Sequence, residues 1–287
     1  MSRTRPMPPP PGCNAPLAER VLTAFLREES HKAGFEKGVL GLSGGVDSAL
    51  SLALAARALG PEKVLALAMP YRTSQPESLE LAREAARQEG VRLEEVDITP
   101  MADAFLATEP GLAADDSAAG RRRRGNVFAR CRMILLYDRS ARERALVIGT
   151  SNKTEFLLGY GTIHGDLASA INPLGDLYKS QVFALARHLG VPEAILQRPP
   201  SADLWAGQTD EEELGFTYAA VDALLHRLVD RRYSVERLIA QGFERSFVLA
   251  VQERVRRNQY KRRPPVIAKL AQRTINLDYR YPRDWGS

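Results

Sequence analysis

Apolar, β-rich segments alternate with helical patterns along the first half of the chain. We predict strands over 38–43, 64–70, 91–99 and 145–151, and the helices between them over 47–60, 76–90 and 124–143. Alternation at this spacing is typical of parallel βαβ units with right-handed crossovers. The sequence therefore predicts an α/β fold, a doubly wound and mostly parallel sheet, which binds its ligands at the carboxyl ends of the strands.

Helical patterns flank this alternation on both sides. A helix is predicted over 17–34, and beyond about residue 176 the pattern is mainly helical, with no second strand–helix series and no internal repeat. A chain of 287 residues suits one large domain. We predict a single domain over 17–275 with a helical C-terminal extension, preceded by a flexible Pro-rich arm (1–16) and followed by a tail (276–287).

The cysteine count narrows the class of protein. Cys13 and Cys131 occur without a CxxC pair or a Cys/His cluster, which argues against a disulfide scaffold or structural zinc and fits a reducing cytoplasm. Cys131 lies in a helical pattern, which favours a buried small residue over a nucleophile. No apolar run of about 18 residues occurs, so we expect no membrane partner.

Positive charge is concentrated near the C-terminus. From Arg231 onward there are 14 Lys and Arg against 5 Asp and Glu, whereas the rest of the chain is net negative. This excess indicates either an anionic partner, such as a nucleotide or nucleic acid, or a solvated helix face. The segment 106–125, rich in small residues and then in arginine, is interpreted as either a functional loop such as a lid or a solvated connection.

The stretch GLSGGVDS (41–48) lies between a predicted strand and a predicted helix, where a phosphate-binding loop belongs. Gly44 and Gly45 allow the backbone to approach a ligand, and the helix that follows adds the positive end of its dipole. Ser43 and Ser48 add hydroxyl donors. The loop is neither a Walker A motif nor GxGxxG.

Asp47 is the unusual residue of this loop. A carboxylate at a helix N-terminus is stabilising by itself. Beside a bound polyphosphate it requires a cation, and Mg²⁺ bridging carboxylate and phosphate oxygens is the natural one. A second oxygen ligand is then expected at the end of a neighbouring strand, where Glu155 follows the strand that ends near Thr150 and Ser151.

The motif SGGVDS resembles the loop of ATP enzymes that cleave between the α and β phosphates. Over about residues 17–270 the chain resembles NAD synthetase, on the segments RGNVFARCRM (124–133), GTSNKTE (149–155), GYGTIHGD (159–166), INPLGDLYKSQV (171–182), PPSADLWAGQTDEEELGFTY (199–218) and YKRRPP (260–265). The resemblance implies an adenine nucleotide alpha hydrolase-like fold. It also implies the last step of NAD biosynthesis: deamido-NAD is amidated with ammonia through an acyl-adenylate, and ATP gives AMP and pyrophosphate.

The resemblance assigns roles to individual positions. Asp47 and Lys179 are implied to be the catalytic residues, with Lys179 neutralising phosphate charge. Asp47 and Glu155 are implied to be Mg²⁺ ligands. Without the resemblance, the helical pattern around Lys179 would favour an exposed helix lysine. The ATP site is implied at Gly41, Leu42, Ser43, Gly44, Gly45, Val46, Asp47, Ser48, Thr150, Lys179 and Ser201. The deamido-NAD site is implied at Arg130, Ile163, Asp166, Ala170, Tyr260 and Lys261.

This chain departs from the common bacterial pattern in places. It has GTSNKTE where that pattern has GTDHAAE, which is closer to archaeal and glutamine-using relatives, and it has Ile163 and Ala170 in place of a lysine and an aspartate. The resemblance further implies a homodimer, for which the apolar helix faces of 17–30 and 127–140 are candidate interfaces. Because only about 16 residues precede the first predicted helix, free ammonia or a separate glutaminase is the expected donor.

Two alternatives compete with this interpretation. A tRNA sulfur-transfer enzyme shares the loop, and the arginine run 121–124 suits RNA, but such enzymes usually need a catalytic cysteine or CxxC pairs. A nucleic-acid-binding module leaves Asp47 and Glu155 unexplained, since carboxylates weaken simple phosphate binding. We therefore favour the synthetase, with ATP, deamido-NAD and ammonia as partners and no nucleic acid.

Overall fold

A computed structural model describes residues 7–201, 210–263 and 265–270. Its sheet has four parallel strands in the order β3-β2-β1-β4. The strands are β1 (Lys37–Gly41), β2 (Val64–Ala68), β3 (Arg92–Glu95) and β4 (Ala145–Val147). The predicted parallel sheet is confirmed, and each strand is shorter than its apolar run because the chain leaves the sheet early to form loops at its carboxyl edge.

Thirteen α-helices are found in the described part of the chain. They are α1 (Ala15–Lys32), α2 (Val46–Leu59), α3 (Pro76–Glu89), α4 (Thr99–Ala107), α5 (Pro110–Ala113), α6 (Ala118–Glu143), α7 (Lys153–Leu158), α8 (Lys179–Leu189), α9 (Glu193–Gln197), α10 (Asp210–Leu214), α11 (Tyr218–Leu225), α12 (Val235–Ala240) and α13 (Arg245–Arg257). A π-helical turn (His226–Asp230) continues α11, and a 3₁₀ turn (Gln259–Arg262) follows α13.

Helices cover both faces of the sheet, as a doubly wound fold requires. Successive strand residues point to opposite faces, so Leu40 packs with α1, α2, α3 and α8 while Val39 packs with α4 and α6. Leu50 on α2 is fully buried, and truncating such a leucine to alanine costs about 2–5 kcal/mol. Cys131 is buried in the second layer, so the prediction of a buried small residue is confirmed.

The predicted helical C-terminal extension is also confirmed. Helices α11, α12 and α13 enclose a third apolar cluster, in which Val221, Leu224 and Val248 are fully buried. Leu158 of α7 and Tyr178, the residue before α8, belong to this cluster. The extension therefore packs against α7 and against the start of α8, which carry residues of the site described below.

The prediction of a long loop over 106–125 is wrong. Helix α4 ends at Ala107, α5 is a single turn, and the arginine run 121–124 lies inside α6. The side chain of Ser117 caps α6 by accepting from Gly120 N at 3.1 Å, and Arg124 donates to the Leu112 carbonyl at 2.9 Å. Leu112 is buried, so this segment is anchored to the domain at that residue, whereas most of residues 107–119 are exposed; its function as a lid stays a prediction.

The N-terminal arm contacts the domain. Helix α1 begins at Ala15, two residues before the predicted boundary, with the Asn14 side chain accepting from Leu17 N. Upstream, Gln181 donates to the Gly12 carbonyl at 2.8 Å. The flexibility of the arm and the domain boundaries stay predictions, and the tail 276–287 lies outside the described residues. Within the described ranges, no helix is long and apolar enough to cross a membrane.

Candidate active site

A cleft of about 810 Å³ opens at the carboxyl ends of β1, β2 and β4. β1 lies between β2 and β4, so the strand order reverses between β1 and β4. Doubly wound folds bind their ligands at such a reversal. Of the predicted ATP positions, the cleft is lined by Gly41, Leu42, Ser43, Gly45, Val46, Asp47, Ser48, Thr150, Lys179 and Ser201. The predicted ATP residues thus surround one cavity, except Gly44, which lies behind its wall against Ser78.

The loop between β1 and α2 is shaped by glycine and by its own serines. Gly44 has φ +77°, and a Cβ at this position would lie 2.3 Å from the Ser78 carbonyl oxygen. Ser48 Oγ accepts from Ser43 N at 3.2 Å and donates to the Gly45 carbonyl at 3.0 Å. Gly45 is the N-cap of α2 and has no side chain to cap it, so the first N–H groups of this helix form an anion-binding end.

Two carboxylates converge on one buried ammonium. Lys179 Nζ lies 2.5 Å from Asp47 Oδ2 and 3.4 Å from Glu155 Oε1, and the lysine is 2% exposed. Asn152 Nδ2 donates to the other oxygen of Asp47 at 2.8 Å. Lys179 is therefore not an exposed helix lysine, and the three charged residues predicted at separate places in the chain form a single cluster.

The ionisation of this cluster follows from burial and from mutual charge. Burial, together with the nearby Asp47 charge, raises the pKa of the Glu155 carboxyl to about 8, and Lys179 opposes this. Burial lowers the pKa of Lys179, but the carboxylates of Asp47 and Glu155 outweigh burial and raise it above its ordinary value. One ammonium thus serves two partly buried carboxylates, and its charge does not offset the effect of burial on Glu155.

Asn152 is a site residue that the sequence interpretation missed. Its side chain caps α7 by accepting from Glu155 N at 3.0 Å, while Glu155 Oε2 accepts from Asn152 N at 3.1 Å. This reciprocal capping box fixes Glu155 at the first turn of the helix. The local spacing Asn-x-x-Glu is its signal in the sequence, but the contact with Asp47 is not visible there.

One buried aspartate and two tyrosines extend the cluster. Asp210 is buried and accepts from Tyr160 Oη at 2.9 Å and from Tyr218 Oη at 3.0 Å. The ring of Tyr218 lies 5.0 Å from Lys179 Nζ, a cation–π distance. Tyr160 lies 50 residues before Asp210 in the sequence, and no local pattern predicts its contact with the aspartate.

Arg198 is a further cation in the cleft wall. Its guanidinium donates to Ser78 Oγ at 2.7 Å and to Gln75 Oε1 at 3.1 Å, and all three residues line the cleft. Because Gly44 abuts the Ser78 carbonyl, Arg198 lies beside the phosphate loop. The sequence interpretation missed it, since an arginine before PPSA is not marked by any local pattern.

The predicted deamido-NAD residues are divided between two places. Asp166, Tyr260 and Lys261 line the same cleft as the ATP residues. Arg130, Ile163 and Ala170 lie outside its lining. Arg130 is exposed on α6 and donates to the Ile163 carbonyl at 3.3 Å, so these two lie together just outside the lining, beside Ala129 and Thr162, which belong to it.

The basic C-terminal segment has a role that neither interpretation of its charge anticipated. Lys261 Nζ donates to the carbonyls of Gly159 and Gly161, both at 2.8 Å. Arg262 donates to the carbonyls of Phe156 and Leu157 at 3.1 and 2.9 Å. These are the last carbonyls of α7 and the turn after it, where cations offset the negative end of the helix dipole. Burial lowers the pKa of Lys261.

Comparisons with known proteins agree with this geometry. The family model described as NAD synthase matches residues 18–265. An NH(3)-dependent NAD(+) synthetase of Trichlorobacter lovleyi is 55% identical over 273 residues, covering 95% of this chain and 97% of that protein. One from Chlorobium phaeobacteroides is 56% identical over 272 residues, covering 95% and 96%.

Solved structures show the same likeness. An NMN synthetase from Francisella tularensis superposes with a TM-score of 0.76 at 32% identity, over 90% of this chain and 99% of that one. An NH3-dependent NAD synthetase from Campylobacter jejuni, in complex with the nitrate ion, superposes with a TM-score of 0.74 at 35% identity, over 90% and 100%.

Proposed function

Since the chain belongs to the NAD synthase family, we propose that it amidates deamido-NAD with ammonia, consuming ATP and releasing NAD⁺, AMP and pyrophosphate. The observation that carries this proposal is the convergence of Asp47, Glu155 and Lys179 beside a phosphate loop. A simple phosphate-binding module gains nothing from two carboxylates at that place, whereas an enzyme that handles a metal-bound polyphosphate does.

The reaction has two steps, adenylation of the nicotinate carboxylate and amidation of the acyl-adenylate. The nicotinate carboxylate oxygen attacks the α-phosphorus of ATP, the bond to the bridging oxygen breaks, and pyrophosphate leaves with the electron pair. Ammonia then attacks the acyl carbon, AMP leaves with its oxygen, and a proton is lost to give the amide. A free carboxylate is a poor acyl donor, so adenylation supplies the leaving group that amidation needs.

The protein contributes mainly position and charge. The N-terminus of α2 and the backbone at Gly45 hold phosphate oxygens, and Lys179 neutralises charge that develops on the departing pyrophosphate. Asp166, Tyr260 and Lys261 line the other part of the same cleft and hold the dinucleotide. Its carboxylate is thereby kept near the α-phosphate, which makes the first step effectively intramolecular.

We assign Mg²⁺ to Asp47 and Glu155. The two carboxylates already share one cation, the Lys179 ammonium, and both line the cleft in which the phosphates are proposed to bind. Mg²⁺ commonly takes one or two carboxylates and completes its shell with water and substrate phosphates. Among the described residues, no group of three or more His, Cys, Asp and Glu forms a metal site by itself. When bound, the ion supplies charge stabilisation to the phosphates.

We further infer a homodimer that covers α1 and α6. Leu17, Val21 and Phe25 on α1 and Ile134 and Tyr137 on α6 are large exposed apolar residues. Arg130 and Ile134 are one turn apart and therefore share a helix face, so an interface over Ile134 would bring Arg130 to the shared boundary. Ile134→Glu should convert dimer to monomer in sedimentation-velocity runs, and a wild-type monomer would contradict the inference.

We place the enzyme in the cytoplasm, which suits its free thiols, Cys13 and Cys131.

The test is a product assay on the purified chain. With ATP, Mg²⁺, ammonium and deamido-NAD, we expect NAD⁺, AMP and pyrophosphate in equal amounts, and none of the three when deamido-NAD is omitted. Glutamine in place of ammonium should give no NAD⁺. Nicotinate mononucleotide in place of deamido-NAD tests NMN synthesis, the activity named for the Francisella tularensis structure. Turnover of the mononucleotide alone, or pyrophosphate release that depends on tRNA, would overturn the proposal.

A further inference from the structure

Asp222 is a fully buried carboxylate that lies behind the active-site wall. It is on α11, within the C-terminal extension, has no solvent exposure, and does not line the cleft. Asp222 Oδ1 accepts from Thr154 Oγ1 at 2.6 Å, and Oδ2 accepts from Ser180 N at 2.7 Å. Distances this short are typical of hydrogen bonds to a charged acceptor.

The bonds of Asp222 continue into α8. Thr154 Oγ1, which donates to Asp222, also accepts from Lys179 N at 3.0 Å. The first two N–H groups of α8 therefore end on the side chains of Thr154 and Asp222, which come from two other helices. Such N–H groups have no partner inside their own helix, so this network fixes where α8 starts and how it is oriented.

Both ends of the network adjoin groups that touch the cleft. Thr154 immediately precedes Glu155 in α7, and Lys179 is the first residue of α8. The side chains of Glu155 and Lys179 meet at 3.4 Å, and Lys179 also contacts Asp47. One buried carboxylate thus supports the backbone of both the proposed metal ligand and the proposed phosphate-neutralising lysine.

We propose that Asp222, acting through Thr154, is a positioning residue that holds Glu155 and Lys179 in the arrangement the reaction needs. The inference rests on the function proposed above. A carboxylate is required because the position must accept two hydrogen bonds at once. An asparagine has one oxygen and one amide nitrogen, so it accepts from Ser180 N or from Thr154 Oγ1 but cannot accept from both.

Four variants test this inference in the amidation assay: Asp222→Asn, Thr154→Val, Thr154→Ser and Val221→Ala. Thr154→Val keeps the shape and removes the hydroxyl, whereas Thr154→Ser keeps the hydroxyl. Val221 is the matched control because it precedes Asp222 on α11, is equally buried, and packs in the third apolar cluster. For each variant, kcat, the KM values, the Mg²⁺ concentration at half-maximal rate and the melting temperature are measured.

Asp222→Asn and Thr154→Val should each lower kcat by about 10- to 100-fold and raise the Mg²⁺ concentration at half-maximal rate, as losses of supporting contacts around metal ligands do. The KM for deamido-NAD should stay within about twofold of wild type. Thr154→Ser should retain most of the rate. Val221→Ala should lower the melting temperature with kcat unchanged, which separates loss of packing from loss of positioning.

The inference fails if Asp222→Asn behaves like Val221→Ala, with a lower melting temperature and a kcat near that of wild type. If Asp222→Asn does not fold, the Thr154 pair decides, and equal kcat values for the valine and serine variants overturn the inference. A wild-type protein that makes no NAD⁺ would instead refute the proposed function. The two failures are therefore distinguishable in one set of measurements.

Discussion

The two ends of the cleft are built in different ways. At the proposed ATP end, Asp47, Glu155 and Lys179 come from three helices, and each carboxylate contacts the lysine directly. At the dinucleotide end, Lys261 is occupied with the carbonyls of Gly159 and Gly161, and Arg130 lies outside the lining. The charged residues proposed for ATP lie together within one chain, whereas at the other end Lys261 also bonds to backbone carbonyls of the fold. Substitutions at the first should act mainly on chemistry, and those at the second on stability and substrate binding together.

Asp47→Asn should have the largest effect. It removes one of two carboxylates assigned to Mg²⁺, and loss of metal stabilisation worth several kcal/mol lowers the rate by about a thousandfold. The fold should be retained but the melting temperature should fall, because the substitution removes the carboxylate that lies 2.5 Å from the buried Lys179 ammonium. Asp176→Asn is the matched control, since the Asp176 side chain is 96% exposed and should leave kcat unchanged. An Asp47→Asn enzyme with near-normal kcat would remove the basis of the metal assignment.

Gly44→Ala should raise the KM for ATP by about 5- to 100-fold, from a strain of about 1–3 kcal/mol at the phosphate loop. The added Cβ would meet the Ser78 carbonyl at 2.3 Å, and either segment has to move. Gly34→Ala separates clash from backbone preference, because Gly34 has φ +78° with nothing within 4 Å of the added atom. A normal KM for ATP in Gly44→Ala, measured from initial rates, would show that the close approach does not shape the site.

Lys261→Met should affect both stability and substrate binding. Two partly buried carbonyls lose their donor, which lowers the free energy of unfolding by about 1–3 kcal/mol. The KM for deamido-NAD should rise while the KM for ATP does not. Denaturant titration and initial rates measure the two effects. Arg256→Met is the control, because its side chain is 76% exposed in a surface ion pair. An Lys261→Met protein as stable as wild type would contradict the shared role.

Arg130→Ala should have the smallest effect, limited to a several-fold rise in the KM for deamido-NAD. Its side chain is exposed and makes one 3.3 Å bond to the Ile163 carbonyl, so the free energy of unfolding should change by less than about 0.5 kcal/mol. Combined with Ile134→Glu, it should add nothing further if the proposed dimer is what brings Arg130 to the substrate, because that dimer is already lost. If the effects of the two substitutions on the KM for deamido-NAD add in the double variant, Arg130 does not act through the interface.

Much of the ATP end was predictable from sequence because parallel strands place their following loops at one edge of the sheet. That rule alone brought the loop after β1 and the segment after β4 together, and the family resemblance added Lys179. The contacts between them were not predictable. Asn152 reaches Asp47 across 105 positions and Thr154 reaches Asp222 across 68, and no periodicity encodes such pairings.

The fold was predicted best where the apolar pattern was strong. It was wrong over 106–125, where small residues and four arginines hid a helix. Arginine and alanine are good helix formers, and Ser117 supplies the N-cap, so local propensity was present but was outweighed by the lack of an apolar stripe. The role of the basic C-terminal segment was missed for a related reason: its partners are backbone carbonyls of α7, which have no signature in sequence.

Helix α7 has a consequence for how the two substrates affect each other. It is six residues long, about 9 Å, with Glu155 in its first turn and its last carbonyls bound by Arg262. We expect a helix this short to transmit a displacement of one end to the other, and binding of ATP and of deamido-NAD at the two proposed sites would then be coupled. Such coupling is reciprocal: whatever factor deamido-NAD imposes on ATP affinity, ATP imposes on deamido-NAD. The order in which substrates are added would then alter the path to the ternary complex, never its total stability.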